Sequence, residues 1–570
     1  MINQEIARIF YYMADMLEMK NVAWKPIAYR KAARNVESLS EDLLNIYTRG
    51  GIKALEDIPG IGEALAKKIE EYIKTGKVHA FEKMKSQMPV NVEELMQVEG
   101  LGPKRIMLLY KKLKIKSLAQ LEAAARTGKI QKLEGLGEKT EENLLKSIAF
   151  AKTSGKRMLL GSGLAIAREI VSRLKSQKYI DKVEIAGSTA RRRETIGDID
   201  ILITTSQPSK AMDFFTKLPA VKRVVAKGGT KATVIYNDIS TDARVLKPEE
   251  FGSALQYFIG SKDHNVALRK IAISKGCKLS EYGLFKGNKR IAGADEKDIY
   301  SKLGLQWTPP EMRENRGEIE AAQTGKLPKL VELKDIKSDL QMHTRYSDGG
   351  NSIAEMAEEC KRLGYSYCCI TDHIGQLAIA GAMSKSDVLR QRKEIDTLNG
   401  KLSNFHVLQG AEVDIKLNGE LAADKKILEN LDWVLASIHQ GLGRNKEQQT
   451  ERMIKVMQNR HVNAIAHPTG RLINERQGYE LDFNRLFRAA KENNIALEIN
   501  AYPTRLDLND VNARTAKDAR VMLTINTDAH AVSHLKWMEL GVAVARRAWC
   551  EKKDILNTLS LKDFRNRIRR

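Results

Sequence analysis

The chain changes its hydrophobic rhythm three times. The opening stretch, MINQEIARIFYYMADMLEMK, spaces Ile2, Ile6, Ile9, Phe10 and Met13 at helical intervals among charges. That pattern predicts an amphipathic helix packed on a core, not a targeting segment. Helical spacing runs on to about residue 150, interrupted three times by one small phrase: IPGIG, VEGLG and LEGLG. The period then shortens to two. KVEIA ahead of Gly187, DIDIL from Asp198 and STDARV around Asp242 read as strands. In DIDIL the alternation puts Asp198 and Asp200 on one face and Ile199 and Ile201 on the other. GEIEAAQTGKLPKLVELKDI, residues 317–336, loses the core pattern and reads as a linker. After it, short apolar runs alternate with helical patterns, the order expected of a barrel of parallel strands with outer helices.

A chain of 570 residues exceeds one core and predicts three or more folding units. No apolar run approaches the roughly 18–20 residues that span a bilayer, so no membrane partner is expected. Five cysteines without paired spacing exclude a disulfide framework and point to a reducing cytoplasm. The net charge of +23 makes a polyanion, nucleic acid above all, the leading partner. Eight of the 10 histidines lie after position 340, so the two ends of the chain carry different chemistry.

The three interruptions place the glycine pairs Gly60/Gly62, Gly100/Gly102 and Gly135/Gly137 in one apolar frame, each opening a helical run. Paired glycines permit positive φ and leave backbone N–H groups bare. The following helix adds its positive end, so such a turn can hold a phosphate without reading a base. The repeat resembles the helix-hairpin-helix motif of DNA repair proteins.

On the strand, Asp198 and Asp200 lie about 7 Å apart and can share a pair of divalent ions, with Asp242 supplying a third carboxylate. Two ions so held bridge the attacking and leaving oxygens of a phosphoryl transfer. Gly187 and Ser188 can open a backbone pocket for a triphosphate, with Arg191 reaching the outer phosphates. GS, RRRE and GDID in that order, followed by YFIGSKDHNVALRKIAISKGCKLSEYGLF, resemble the family X DNA polymerases, the polymerase beta family. The resemblance implies that Asp198, Asp200 and Asp242 are the catalytic carboxylates, binding Mg²⁺ or Mn²⁺, and that Asp242 accepts the primer hydroxyl proton. It implies triphosphate binding by Gly187, Ser188, Arg191, Gly197 and Gly260. Tyr257 and Phe258 would lie against the sugar, Asn265 and Arg269 on the helix that checks the new base pair, and Arg244 among the DNA contacts. WKPIAYRKAARNVE resembles the family's lyase domain, whose Schiff-base lysine falls on Lys68 and phosphate-binding lysine on Lys25. A neighbouring lysine of that pattern is Ala64 here. Gap-end binding is therefore expected, and lyase activity is left open.

In the last third, candidate metal ligands recur where apolar runs end: Asp372 and His373, Glu412, His439, His467, Asp528 and His530. Strand ends of a parallel barrel converge on one mouth. With SDLQMHTRYSDG the series resembles the PHP (polymerase and histidinol phosphatase) domain, which binds up to three metals, commonly Zn²⁺ or Mn²⁺, and cleaves phosphoesters. Its ligands carry over to His343, Asp348, His373, Glu412, His439, His467, Asp528 and His530. Gln341 stands where the family pattern has its first histidine.

The expected fold is multidomain: helical, helix-hairpin-helix N-terminal domains (lyase-like 1–86 and fingers 87–152), an α+β nucleotidyltransferase palm (153–260) and thumb (261–316), the linker, and a distorted (β/α)₇ PHP barrel (337–570). The expected activity is filling of short gaps in double-stranded DNA from deoxynucleoside triphosphates in base excision repair, by a monomer, with the barrel trimming 3′ ends as an exonuclease or processing abasic and phosphate-blocked ends as a phosphoesterase. The alternatives are a DNA-binding scaffold with an inactive barrel, and a small-molecule phosphatase fused to a DNA-binding module.

Overall fold

The computed structural model describes residues 2–37, 39, 43–58, 60–96, 98, 101–138, 140–142, 144, 145, 147, 148, 157–375 and 381–568. The helices Ile2–Met19, Lys25–Glu37, Leu43–Glu56, Glu63–Thr75, His79–Ser86, Pro103–Leu113 and Leu118–Arg126 form the N-terminal part. Their apolar faces meet in one core that runs from Ile6, Phe10 and Met13 through Val78 and Phe81 to Ile106, Leu121 and Ile148. This core crosses residue 86, where a domain boundary is expected from sequence. The helix Ile2–Met19 packs on both sides of that point, so the lyase-like and fingers segments share one interior.

The glycine turns repeat one geometry. The amides of Ile61, Leu101 and Leu136 donate to the carbonyls of Ile58, Val98 and Leu133 at 2.9, 3.1 and 3.0 Å. Gly60 and Gly135 sit at φ +80° and +79°, a conformation that strains any other residue. The second glycine of each pair corrects the sequence expectation, because none of the three has a positive φ. Gly62 and Gly102 have φ −89° and −84°, Gly137 too lies outside the left-handed region, and a Cβ on any of the three would meet open space. The backbone therefore does not require glycine at Gly62, Gly102 or Gly137; what glycine provides there is a main chain that a ligand can approach closely. Gly137 is exposed, and its carbonyl accepts the amides of Thr140 and Glu141 at 2.9 and 3.2 Å, which starts a helical turn. Gly62 and Gly102 cap the helices Glu63–Thr75 and Pro103–Leu113 without a side-chain hydrogen bond, which leaves the first helical amides free for a ligand. Gly100 lies outside the described residues.

The palm is a five-stranded sheet in the order Ile180–Ile185, Asp198–Thr205, Ile239–Leu246, Lys231–Tyr236, Val221–Lys227. Only the pair Asp198–Thr205 and Ile239–Leu246 is parallel. The helices Leu160–Lys175 and Pro208–Thr216 cover one face through Ala167, Ile170, Met212 and Phe215, each fully buried. The thumb follows, with the helix Lys262–Ser274, a small antiparallel sheet and the helix Glu296–Lys302 around Leu268, Leu284 and Tyr300.

The stretch 317–336 is no loose linker. It carries the helix Glu318–Gln323, and its apolar residues divide between two neighbours. Ile319 and Ala322 enter the thumb core, Val331 enters the barrel core, and Leu330 packs with Met312 and Trp549. Because no single surface collects them, no single period shows in the sequence.

In the last third seven parallel strands follow one another in chain order: Ser338–Asp339, Tyr367–Ile370, His406–Asp414, Trp433–Ser437, Ala464–Ile465, Ala496–Asn500 and Leu523–Asn526. The edges meet where Met342 bridges Ala529, with the His343 amide donating to the Ala529 carbonyl at 2.8 Å and the Asp528 amide to that of Gln341 at 3.1 Å. A barrel of seven staves results, as expected, in which the short eighth strand His373–Ile374 continues Tyr367–Ile370 beside His406–Asp414. Tyr367, Trp433 and Phe564, all fully buried, pack together with Leu408 and Leu435 in a core of their own. The palm is joined to the barrel: Leu160 and Leu164 belong to the barrel core, and Arg168 donates to both carboxylate oxygens of Glu539 at 2.8 and 2.7 Å. No described helix is long and apolar enough to cross a membrane, and all five cysteines are free thiols.

Candidate metal centres

The first centre is set by register. Asp200 lies directly beside Asp242 across the parallel pair, and Asp198 beside Ser240, so all three carboxylates share one face of the palm. Ala186 donates its amide to the Asp200 carbonyl at 2.8 Å, which brings the next turn under the acids. There Gly187 adopts φ +62°, and a Cβ on it would stand 2.2 Å from Asp200 Oδ2. Only glycine fits. Burial first, then the charges of Asp198 and Asp242, push the Asp200 carboxyl up to about 6. Three crowded carboxylates with one so raised are a site that a divalent cation would relieve.

The surrounding cations are partly those expected. Lys231, on the neighbouring strand, stands 3.1 Å from Asp242 and was not singled out in the sequence. Arg191 is mostly buried; its Nε donates to Glu314 at 3.1 Å and its NH1 to the Ile259 carbonyl at 2.6 Å. The Ser188 hydroxyl, also buried, has no hydrogen-bond partner, as suits a group kept for a ligand. Gly197 precedes the acids on the exposed approach to Asp198. Tyr257 and Phe258 meet edge to face at 5.1 Å, and Arg244 lies 4.9 Å over the Phe258 ring. Asn265 is 8% exposed, and its amide donates to the carbonyls of Tyr257 at 2.7 Å and Gly260 at 3.2 Å. Its visible task is to fix the break between two helices. A Cβ at Gly260 would collide with it at 2.4 Å. Arg269, one turn later, donates to the Asn265 carbonyl at 3.3 Å.

In the N-terminal body Lys25 is exposed and Lys68 half-buried, its Nζ on the Ala64 carbonyl at 2.8 Å. Burial lowers the Lys68 ammonium below the usual lysine range, and the charge of Lys25 acts in the same direction against Glu71.

The second centre gathers all eight residues named from the barrel pattern. They form three overlapping groups: His343, Asp348, His373 and His530; Glu412, His439 and His467; and His343, Glu412 and Asp528. Glu412 is the hub. Its Oε1 lies 3.0 Å from His467 Nε2 and 3.3 Å from His439 Nε2, and its Oε2 3.4 Å from His343 Nε2. His343 Nε2 is 3.1 Å from Asp528 Oδ1, and Asp348 reaches His530 at 3.4 Å. Burial alone would neutralise these acids, but the imidazoles hold Asp348, Glu412 and Asp528 below the usual carboxylate range. Gln341 is fully buried at the same place. Its amide nitrogen donates to Glu412 at 2.9 Å, while its Oε1 has no partner. The Nδ1 atoms of His343 and His467 are likewise buried without a hydrogen-bond partner. A cluster of imidazoles and carboxylates with three buried atoms lacking hydrogen-bond partners fits cations with nitrogen and oxygen preference.

Several contributors escaped the sequence reading. Asp414 accepts from His439 Nδ1 at 2.7 Å and so fixes the ring; its position two residues after Glu412, on the same strand face, was the available signal. Glu498 receives the His467 amide at 2.6 Å, and Asn500 donates to Asp528 at 3.1 Å; both are polar residues inside the apolar run ALEIN. Asp372, next to His373, is in none of the three groups. It accepts from the Thr344 amide and from the side chains of Thr344, Ser347 and Gln391 at 2.5–2.7 Å, which shapes the loop that carries Asp348. Of the remaining histidines, His406 pairs with Arg565, and His534 stacks on Trp537 while its Nδ1 accepts the His530 amide at 3.3 Å, beside the first group.

A helix-hairpin-helix domain model matches residues 1–78, a SAM-like helix-hairpin-helix tandem 92–149, the DNA polymerase beta thumb 254–314 and the PHP domain 339–502. The DNA polymerase/3′-5′ exonuclease PolX of Bacillus subtilis is 38% identical over 576 residues, covering 100% of both chains. DNA polymerase lambda of Arabidopsis thaliana is 23% identical over 350 residues, 55% of this chain and 62% of that one. A probable phosphatase of Photobacterium profundum is 32% identical over 166 residues, 28% of this chain and 63% of that one. From the end-to-end match and the four domain models, the chain belongs to the family X DNA polymerases that carry a C-terminal PHP domain.

Proposed function

We propose that this protein fills short gaps in DNA during base excision repair and trims 3′ ends with its barrel, using two separate metal sites. The observation that carries the reading is the register of Asp200 against Asp242, with Gly187 closed beneath them. Held by Asp198, Asp200 and Asp242, Mg²⁺ or Mn²⁺ would stabilise the charge on the attacking and leaving oxygens. Asp242 would take the primer hydroxyl proton once Lys231 yields to the substrate. Ser188, Arg191 and the bare amides after Gly187 would hold the triphosphate. The glycine turns would grip the phosphates on either side of the gap, and Lys25 with Lys68 its 5′ end.

In the barrel, His343, Asp348, His373, Glu412, His439, His467, Asp528 and His530 would hold Mn²⁺ or Zn²⁺, which when bound would supply an activated water toward a phosphodiester. Asp414 and Glu498 keep the ligands in place, and Arg505, 3.5 Å from Asp528, adds positive charge for the incoming strand.

The test is one assay on one-nucleotide-gapped DNA with deoxynucleoside triphosphates, in Mg²⁺ and in Mn²⁺, together with metal analysis of the purified monomer. Insertion of the templated nucleotide and shortening of a single-stranded 3′ end are expected. A chain without transition metal and without trimming would be a scaffold in its last third. Hydrolysis of small phosphomonoesters in place of DNA ends would make the barrel a phosphatase.

A further inference from the structure

The barrel domain reaches into the polymerase pocket with one side chain. Arg547 is the last residue of the barrel helix Met538–Arg547 and is 4% exposed. Its NH1 donates to the backbone carbonyl of Arg191 at 2.8 Å and to Glu314 at 3.1 Å, and its NH2 to Asp510 at 2.7 Å. Glu314 Oε1 receives Arg191 Nε at the same 3.1 Å, with Arg193 further off at 3.8 Å. Asp510 is shared with Arg316 at 2.9 Å. Four guanidinium groups thus face two carboxylates in a half-buried cluster, an excess of positive charge at the base of the turn that follows Gly187. None of the barrel's metal-binding side chains is among Arg547's partners.

We propose that Arg547 is a positioning residue for nucleotide binding at the polymerase site: it holds Glu314 back so that Arg191 remains available to the triphosphate. This rests on the reading of Arg191 as a triphosphate ligand. Glu314 has two cationic partners at equal distance, and a carboxylate that loses one strengthens its hold on the other. Without Arg547, Glu314 would claim the Arg191 guanidinium, and the Arg191 carbonyl would lose the donor that anchors its turn. The polymerase pocket is then complete only while the barrel is docked against the palm.

Single-nucleotide insertion into gapped DNA by the full chain tests this, with trimming of single-stranded DNA in Mn²⁺ measured on the same preparations. Arg547→Ala is expected to raise the KM for nucleotide about tenfold with kcat within about twofold, and to leave trimming unchanged. Adding Glu314→Gln to Arg547→Ala should return KM to within about threefold of the parent, because a neutral amide no longer competes for Arg191. A merely structural role would not be rescued in this way. If Arg191→Ala raises KM but Arg547→Ala does not, or if the double variant stays as impaired as Arg547→Ala, the proposal is wrong while Arg191 keeps its role. If Arg191→Ala leaves KM unchanged, the triphosphate reading itself fails. Should Arg547→Ala lose trimming as well, Arg547→Lys takes its place: a lysine cannot serve Glu314, Asp510 and the carbonyl together, so KM must still rise, and an unchanged KM overturns the proposal.

Discussion

At Gly187 two demands coincide, a positive φ and a carboxylate where a side chain would be. Gly187→Ala must move either the turn or Asp200, and a shift of this size between reacting groups costs about a hundredfold in rate. Nucleotide insertion is expected to fall by that factor and trimming to remain within about twofold; both can be read on one preparation. Asp200 makes a prediction about stability. Its folded pKa, about 6, lies above the ordinary 3.8, so the protonated form is the one favoured by folding. The carboxyl therefore carries no penalty below about pH 4, and its cost to the fold grows between about pH 4 and 6. In EDTA, Asp200→Asn is expected to be more stable than the parent at pH 8 by about 1–2 kcal/mol, after a discount for partial exposure, with no difference near pH 4. Chemical denaturation at the two pH values measures it. Residues with side chains on one strand face, such as Asp198 and Asp200, were legible because the period of two fixes direction. Lys231, Glu314 and Arg547 were not, since each meets its partner across a fold and no local pattern marks it.

Elements were legible where one surface collects the apolar residues. The helix Ile2–Met19 and the strands around Asp200 and Asp242 follow their periods, and the strand ends of the barrel bring their candidate ligands to one mouth as the parallel order requires. The stretch 317–336 shows no period in sequence because its apolar side chains serve the thumb and the barrel in turn. The glycine turns show what sequence spacing can carry: three copies share one hydrogen-bonding step, although the pattern alone did not reveal that the first 86 residues and the fingers have a common core. Nor did it separate the two glycines of a pair, of which Gly135 needs its positive φ and Gly137 does not. For these turns a substitution at Gly135 is informative, since a Cβ there meets open space and only φ +79° resists it. Gly135→Ala is expected to cost about 1 kcal/mol locally. It should weaken binding to gapped DNA and reduce the slope of log affinity against log salt by about one, the loss of one phosphate contact. Fluorescence anisotropy over a salt series gives both numbers.

Across the whole molecule, palm and barrel are packed through Leu160 and Leu164, tied by Arg168 to Glu539 and Arg471 to Glu194 at 2.7 Å, and joined at the polymerase pocket by Arg547. The chemistries proposed for them nonetheless rest on different residues: three aspartates on a sheet, and histidines with acids at the ends of barrel strands. The most direct measurement crosses the two sites on one gapped substrate, with Asp200→Ala and His530→Ala assayed for insertion and for trimming side by side. Asp200→Ala is expected to lose insertion and keep trimming, and His530→Ala to do the reverse. Insertion by Asp200→Ala at the parental rate, or loss of both activities in either variant with its fold and metal content intact, would contradict it.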